Sequence, residues 1–530
     1  MSTRSQTGQH GQPIEHDDEV AVIVGSGAGG GTVAHELTAR GIRCVVLEAG
    51  PYLKAEDYVN DEWPAFNQMA WLDNRTASGP FRLARDFPNL PAWIVKAVGG
   101  TTTHWAGATP RFREYEFKAR SHYGGLEGAN LLDWPITLAD LEPYYDKAEM
   151  AIGSTHRHGR PALPANNNYK VLANGAEKVG YRFYATGPYG TNAEPYDGRP
   201  ASIQDGFNFQ GDKHGSKWST AVREIPRALE TGLCELRPES QAVQVTHDAS
   251  GRVNAVLYLD KEGNLHRQAA SVVCVAGNSI ETPRLLLMSA SSLHPDGLAN
   301  SSGQLGRNYM RHTTGSAYAR FDQPVHMYRG ETMAGIIADE ARLDSSRGFL
   351  GGYYFETLAL GPPFLAAFVD PGAWGPQFAE VMDAYENTAG LWIVGEDMPQ
   401  EANRVTLSPG VQDQWGLPAP DVRFEDHAND VAMREHAYSR ADMLYEAVGA
   451  LGTHRTPPYP ATHNLGTCRM SERPEDGVVD QWGEAHDVPG LFVSDGSVMT
   501  TGGAANPTLT IVALAIRQAE HIAEQMGAGS

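Results

Sequence analysis

Cysteine is scarce in this chain: Cys44, Cys234, Cys274 and Cys468 are the four among 530 residues, with no CxxC pair and no cysteine-histidine cluster at zinc spacing. That excludes a disulfide-stapled fold and a zinc site, so no metal is expected, and it suits a reduced compartment with buried thiols. Long apolar runs are lacking too. None approaches the ~18 residues of a spanning helix, so a soluble protein without a membrane partner is expected. Runs of like charge are also missing, while the overall balance is acidic: 42 lysines and arginines against 64 aspartates and glutamates give a net charge of −22. A surface of that sign repels nucleic acid and anionic membranes and favours a neutral or cationic small molecule. The N-terminus has neither an apolar signal core nor a twin-arginine pair. Residues 1–17 read as a disordered tail, and a cytoplasmic location follows.

What is present begins with Val20-Ala21-Val22-Ile23-Val24, five apolar residues of a buried parallel strand, running into Gly25-Ser26-Gly27-Ala28-Gly29-Gly30. A helix over 29–40 closed by Gly41 and a second strand over 42–47 ending at Glu48 complete the pattern. A lone GxGxxG is weak, but between a strand and a helix it reads as a dinucleotide site. Gly25 permits the tight turn, Gly27 lets backbone approach a pyrophosphate, and Gly30 lets helix and strand pack closely. The helix N-terminus then meets phosphate, while the Glu48 carboxylate suits ribose hydroxyls and disfavours a 2′-phosphate. The motif alone does not separate FAD from NAD.

Three further segments bear on that choice. Residues 96–112 read KAVGGTTTHWAGATPRF, where Gly99 and Gly100 allow close backbone approach and Thr102 offers a hydroxyl to a ring oxygen. From composition alone His104, beside Trp105, is a packed loop residue. A strand over 271–276 leads through Gly277 to a Leu-rich helix expected to begin at Arg284. Near the C-terminus a strand-like run turns at Asp495-Gly496, and a helix from Pro507 carries its apolar positions on one face. Asn506, just before it, is either an N-cap or a site residue.

GSGAGG, VGGTTTHW, AGNSIETPRLL, THNLGTCRM and DGSVMTTGGAANPTLTIVALAIR stand in the order found in the glucose-methanol-choline (GMC) flavoprotein oxidoreductases, and the chain resembles that family. Within it, Thr103-His104-Trp105, the following ATPRF and the ANPTLT tail resemble pyranose oxidases and bacterial glycoside 3-oxidases. The resemblance implies FAD, linked covalently through His104, and a catalytic pair of His463 and Asn506. It also implies cofactor contacts at Trp105, Ala106, Val243, Ala276, Asp495, Pro507 and Thr508. The chemistry is sound: a neutral imidazole takes the hydroxyl proton, the amide bonds the same oxygen, and the flavin takes the hydride. Ala106 departs from the threonine of pyranose oxidases, which leaves oxygen or a quinone or protein as electron acceptor.

The fold class this implies is α/β. A discontinuous Rossmann-like FAD-binding domain (18–120, 203–312 and 463–530) holds an inserted α+β substrate domain (121–202 and 313–462) built on an antiparallel sheet. Short apolar and aromatic runs at 350–355 and 391–394 supply that sheet. Tyr353, Tyr354 and Trp374 are candidates for stacking on sugar, although aromatics on a sheet are more often core, and 360–375 is a candidate lid. The expected activity is oxidation of a secondary ring hydroxyl, at carbon 2 or 3, of a pyranose sugar or glycoside, with a non-redox lyase as an alternative.

Overall fold

In the computed structural model, residues 12–62, 70–71, 77–78, 93–362, 365, 374–458 and 463–528 are described. The first strand, Ile14–Val24, lies between Cys44–Leu47 and Leu265–Val275 and is parallel to both. Cys234–Arg237 extends the sheet beyond Cys44–Leu47, and Leu491–Val493 pairs in parallel with Val273–Val275. The other half of Leu265–Val275 turns to a different partner, the antiparallel meander Val253–Leu259 and Gln241–His247. One long strand is thus shared between a parallel, doubly wound unit and a meander. Helix Ala28–Ala39 packs on one face beside the C-terminal helix Thr508–Gln525. Leu509, Val512, Ile516, Ala519 and Ile522 on that last helix are buried, each large aliphatic side chain contributing roughly 1.5–3 kcal/mol.

Three boundaries differ from the sequence reading. Residues 14–17, expected in the tail, begin the first strand because their backbone pairs with His266 to Gln268 and the His16 ring stacks on His266 at 5.4 Å. The polar side chains of Glu15, His16 and Asp17 hide this part of the strand from any hydrophobic pattern. The strand before Gly277 starts at Leu265 rather than 271. The Leu-rich helix runs Asn278–Met288, six residues earlier than expected, with Pro283 inside it. The Asn278 side chain accepts from the N–H groups of Ile280 and Glu281, and the Ser279 carbonyl that Pro283 leaves unbonded accepts from Thr467 Oγ1 at 3.0 Å.

A second sheet is antiparallel throughout, in the order Gly452–Arg455, Thr313–Arg320, Thr388–Gly395, Tyr353–Thr357, Gly335–Ile337, Tyr184–Thr186. Helix Ala428–Glu446 covers its far face, burying Met433, Ala437 and Leu444. The mixed α/β architecture is therefore a nucleotide-type parallel sheet and an antiparallel sheet facing one another. Tyr353 and Tyr354 are core residues, the former bonded through its hydroxyl to His436 at 2.9 Å and the latter lying under the Arg113 guanidinium. Trp374 is 87% exposed. Most of the expected lid lies outside the described residues.

Candidate active site

Every parallel strand delivers residues to one cavity from its C-terminal end, where ligands bind in doubly wound sheets. Gly25 to Gly29 follow the first strand, Glu48 and Ala49 the second, Ser240 to Ala242 the edge strand, Ala276 to Asn278 the long strand, and Asp495 and Gly496 the last. The cavity encloses about 1980 Å³ of empty space including its open mouth. It continues between the two sheets to His463 and Asn506.

The glycines make the cradle. Gly25 stands at φ +94°, and a Cβ there would lie 2.4 Å from the Ala276 carbonyl oxygen. A Cβ on Gly29 would lie 1.4 Å from the Ser494 carbonyl oxygen, and one on Gly30 2.0 Å from that of Gly25. Gly30 accordingly does not line the cavity; it serves the close packing expected of it. Gly27 does line it, and the first turn of Ala28–Ala39 presents N–H groups with no partner inside the helix. Glu48 accepts from Ser26 Oγ at 2.7 Å, Ser26 N–H at 3.1 Å and Gly50 N–H at 3.0 Å, so the carboxylate is fixed at the cavity wall. Burial raises its pKa against these hydrogen bonds. Ser26 was missed in the sequence reading although it lies inside the glycine motif; its Oγ also accepts from Gly99 N–H at 3.0 Å, tying the two loops together.

Gly100, Thr102, Trp105 and Ala106 line the middle of the cavity, whereas Gly99 does not. The Thr102 hydroxyl is committed to the Gly99 carbonyl, and Thr103 Oγ1 donates to Gly100 O at 2.8 Å. In this short 3₁₀ turn the hydroxyls of Thr102 and Thr103 satisfy the loop's own carbonyls. Lys217, buried, clamps the same loop by donating to the carbonyls of Trp105 at 2.7 Å and Thr103 at 3.2 Å. His104 is not among the side chains lining the cavity. It is 2% exposed, edge-on to Tyr58, and neither ring nitrogen has a hydrogen-bond partner. Burial and the Lys217 ammonium push its pKa down to about 3. Val243 is also off the cavity: its side chain joins Leu257, Leu259 and Leu265 on the far face of the meander, and its neighbour Ala242 takes the lining position, as strand alternation requires.

At the far end, Asp495 Oδ2 accepts from Asn278 N–H at 2.9 Å and Thr282 Oγ1 at 2.6 Å, holding two strand ends together at the cavity. Pro507, not Asn506, caps the last helix, and it lines the cavity with Thr508. Asn506 donates through Nδ2 to the buried Glu356 at 3.4 Å and keeps an unpartnered Oδ1. His463 lines the same space; its Nδ1 lies 2.9 Å from Nδ1 of His312, and Trp392 lies tilted against it at 5.6 Å. Burial, and then the His312 imidazole, hold its pKa well below the usual histidine range. Met333, Leu358, Leu360 and Trp392 form the wall here. His312, Glu356 and Trp392 were missed by the sequence reading, for they lie in strands or at strand ends of the second sheet and belong to none of its motifs.

The glycine cradle and the fixed carboxylate fit a dinucleotide, and the unpartnered Asn506 oxygen leaves a polar atom at the inner part of the cavity. FAD fits these residues. No described helix is long and apolar enough to cross a membrane.

The family model of the GMC oxidoreductase N-terminal domain matches residues 11–314, and that of the C-terminal domain matches residues 399–515. The chain is 34% identical to 2-methyl-1,2-propanediol dehydrogenase of Mycolicibacterium austroafricanum over 96% of each chain. It is 28% identical to the fructose dehydrogenase large subunit of Gluconobacter japonicus, over 96% of this chain and 98% of that one. Among solved structures, pyridoxine 4-oxidase from Mesorbium loti shares the fold, with a TM-score of 0.66 at 16% identity over 96% of this chain and 99% of that one. The cradle that holds FAD, the two facing sheets and both family matches agree: this chain belongs to the GMC oxidoreductases, the FAD enzymes that act on CH–OH groups.

Proposed function

We propose that the protein oxidises a secondary ring hydroxyl, on carbon 2 or 3, of a pyranose sugar or glycoside, with His463 as base and Asn506 bonding the same oxygen. One observation carries this reading: a neutral imidazole and an amide, whose Nδ2 keeps a second N–H beyond the one given to Glu356, face the inner end of the cavity whose outer end is the dinucleotide cradle. FAD, when bound, supplies the hydride acceptor. His463 takes the hydroxyl proton at Nε2, its Nδ1 being engaged by His312. Asn506 stabilises the oxygen as charge develops there, worth roughly 10²–10³ in rate for one such donor. Trp392, Met333, Leu358 and Leu360 line this end, and this apolar wall keeps water from the reacting carbon.

A second reading, a short branched diol, is favoured by that same wall of Met333, Leu358 and Leu360, and by the name of the dehydrogenase that shares 34% of the sequence. Ala106 places no hydroxyl at the cavity wall, which supports an electron acceptor other than oxygen alongside the oxidase reading. The test is anaerobic titration of the yellow protein with glucose, xylose, methyl glycosides and 2-methyl-1,2-propanediol. Bleaching by a sugar supports the first reading, and bleaching by the diol alone supports the second. Bleaching by any alcohol excludes a non-redox lyase, and the rate of recovery in air separates oxidase from dehydrogenase.

A further inference from the structure

The ring of His312 bridges the proposed base and a backbone carbonyl. Its Nε2 lies 3.0 Å from the oxygen of Gly502, and its Nδ1 lies 2.9 Å from Nδ1 of His463, the two rings standing at 85°. A carbonyl only accepts, so Nε2 of His312 carries hydrogen. A neutral imidazole has one N–H, so Nδ1 of His312 is then a bare acceptor and the hydrogen between the two Nδ1 atoms belongs to His463. We infer that His312 is a positioning residue that fixes His463 in the tautomer whose Nε2 is a bare lone pair at the cavity, the form a base must have. The inference rests on the reading of His463 as base.

Three observations support it. His312 is fully buried, and burial pushes its pKa down to about 4, so the ring is neutral, as the argument requires. Of the groups beside it, Asp397 accepts the Arg311 backbone N–H at 2.7 Å through Oδ2 and burial raises its pKa to about 7, while the Arg311 guanidinium lies over Phe424 and 3.5 Å from Asp426. His312 also sits at φ +63°, a conformation a side-chain-bearing residue adopts at a cost of order 1–3 kcal/mol, just before the strand Thr313–Arg320. A Cβ on Gly502 would lie 3.3 Å from the His312 ring and 3.1 Å from Asp397 Oδ1, so backbone and ring are closely fitted.

In the reaction, the substrate O–H bond breaks and its proton forms the Nε2–H bond of His463. The carbinol hydrogen with its electron pair would pass to FAD when that cofactor is bound, leaving the carbonyl product. The imidazolium that forms keeps its Nδ1–H on the lone pair of His312, so the ring neither turns nor loses its partner during transfer. This is the base-and-orienter arrangement in which a third group sets the tautomer of a catalytic histidine.

The test compares His312→Leu, which keeps bulk but no acceptor, with His312→Asn, whose Oδ1 can take the place of Nδ1. Flavin reduction is followed by anaerobic stopped flow on holoenzyme at saturating substrate, with FAD content and Tm as controls. His312→Leu should reduce flavin at least roughly 30-fold more slowly with KM changed less than about threefold, while His312→Asn stays within about fivefold of wild type. Wild-type rates in His312→Leu, or equal loss in both variants, would overturn the inference. Should His312→Leu fail to hold FAD, ¹⁵N-histidine spectra of the wild-type protein decide, and an N–H on Nε2 of His463 overturns it. His463→Ala separates the two readings: activity surviving there removes the base itself, whereas activity lost there and intact in His312→Leu removes only the role of His312.

Discussion

The Asn506 amide donates one N–H to the buried carboxyl of Glu356, which fixes the amide plane and leaves Oδ1 and the second N–H to the cavity. Burial raises the Glu356 pKa to about 8, so the group is neutral at pH 7 and still accepts through its carbonyl oxygen. Glu356→Gln preserves both shape and acceptor, and flavin reduction within about threefold of wild type is expected. Glu356→Leu removes the acceptor and frees the amide to turn. A fall of roughly 10–100-fold in the reduction rate, with FAD still bound, is expected from the loss of an oriented donor. Stopped-flow rates on the two variants check this, and equal rates would contradict it.

The base should also declare itself in the pH profile. His463 has its pKa held well below 6.5 by burial, so it is unprotonated at neutral pH and gains a proton only as pH falls through that depressed value. The rate of flavin reduction should therefore be level from about pH 8 to pH 6.5, with its acid limb lower still. An acid limb centred at 6.5 or above, in anaerobic measurements over a series of buffers, would show a histidine of ordinary pKa and contradict the burial argument.

Glu48 lines the cavity and is held by Ser26 through one oxygen and Gly50 through the other. Glu48→Ala removes the ribose acceptor and the tie between two strand ends, and an FAD affinity about 10–100-fold lower is expected, since a hydrogen bond to a charged group is worth ~1.5–3 kcal/mol. Calorimetric titration of apoprotein with FAD measures it, and an unchanged Kd would remove Glu48 from the site. Gly29→Ala should give no folded holoenzyme at all, because the new methyl meets backbone at 1.4 Å.

His104 presents a sharper question. The ring is buried against Tyr58 and does not line the cavity, while the resemblance to pyranose oxidases implies a flavin link there. Acid precipitation should leave the yellow colour with wild-type protein and release it from His104→Ala. Colour released from both would leave the ring with no covalent role.

The parallel unit was legible because its signals are local. Apolar strands end in glycine or an acidic residue, and backbone geometry at Gly25 and Gly29 demands those residue types. The order of motifs placed His463 and Asn506 together across 43 positions of sequence. The start of the first strand was not legible, since Glu15 to Glu19 is polar and its pairing with the long strand is made by backbone. Glu356 and His312 were not legible for a different reason: each acts on a catalytic side chain from the second sheet, and such contacts are set by tertiary register alone. The direction of the Val243 side chain was not legible either, because neighbouring side chains on a strand face opposite ways and here Ala242 takes the cavity side.

The central claim is that His463 removes the hydroxyl proton while hydride leaves the same carbon. The most direct measurement is single-turnover flavin reduction by sugar, without air, in wild type and in His463→Ala with equal FAD content. The account expects rapid bleaching in wild type and a loss of at least roughly 10²-fold in the variant. Bleaching of His463→Ala at the wild-type rate would contradict it.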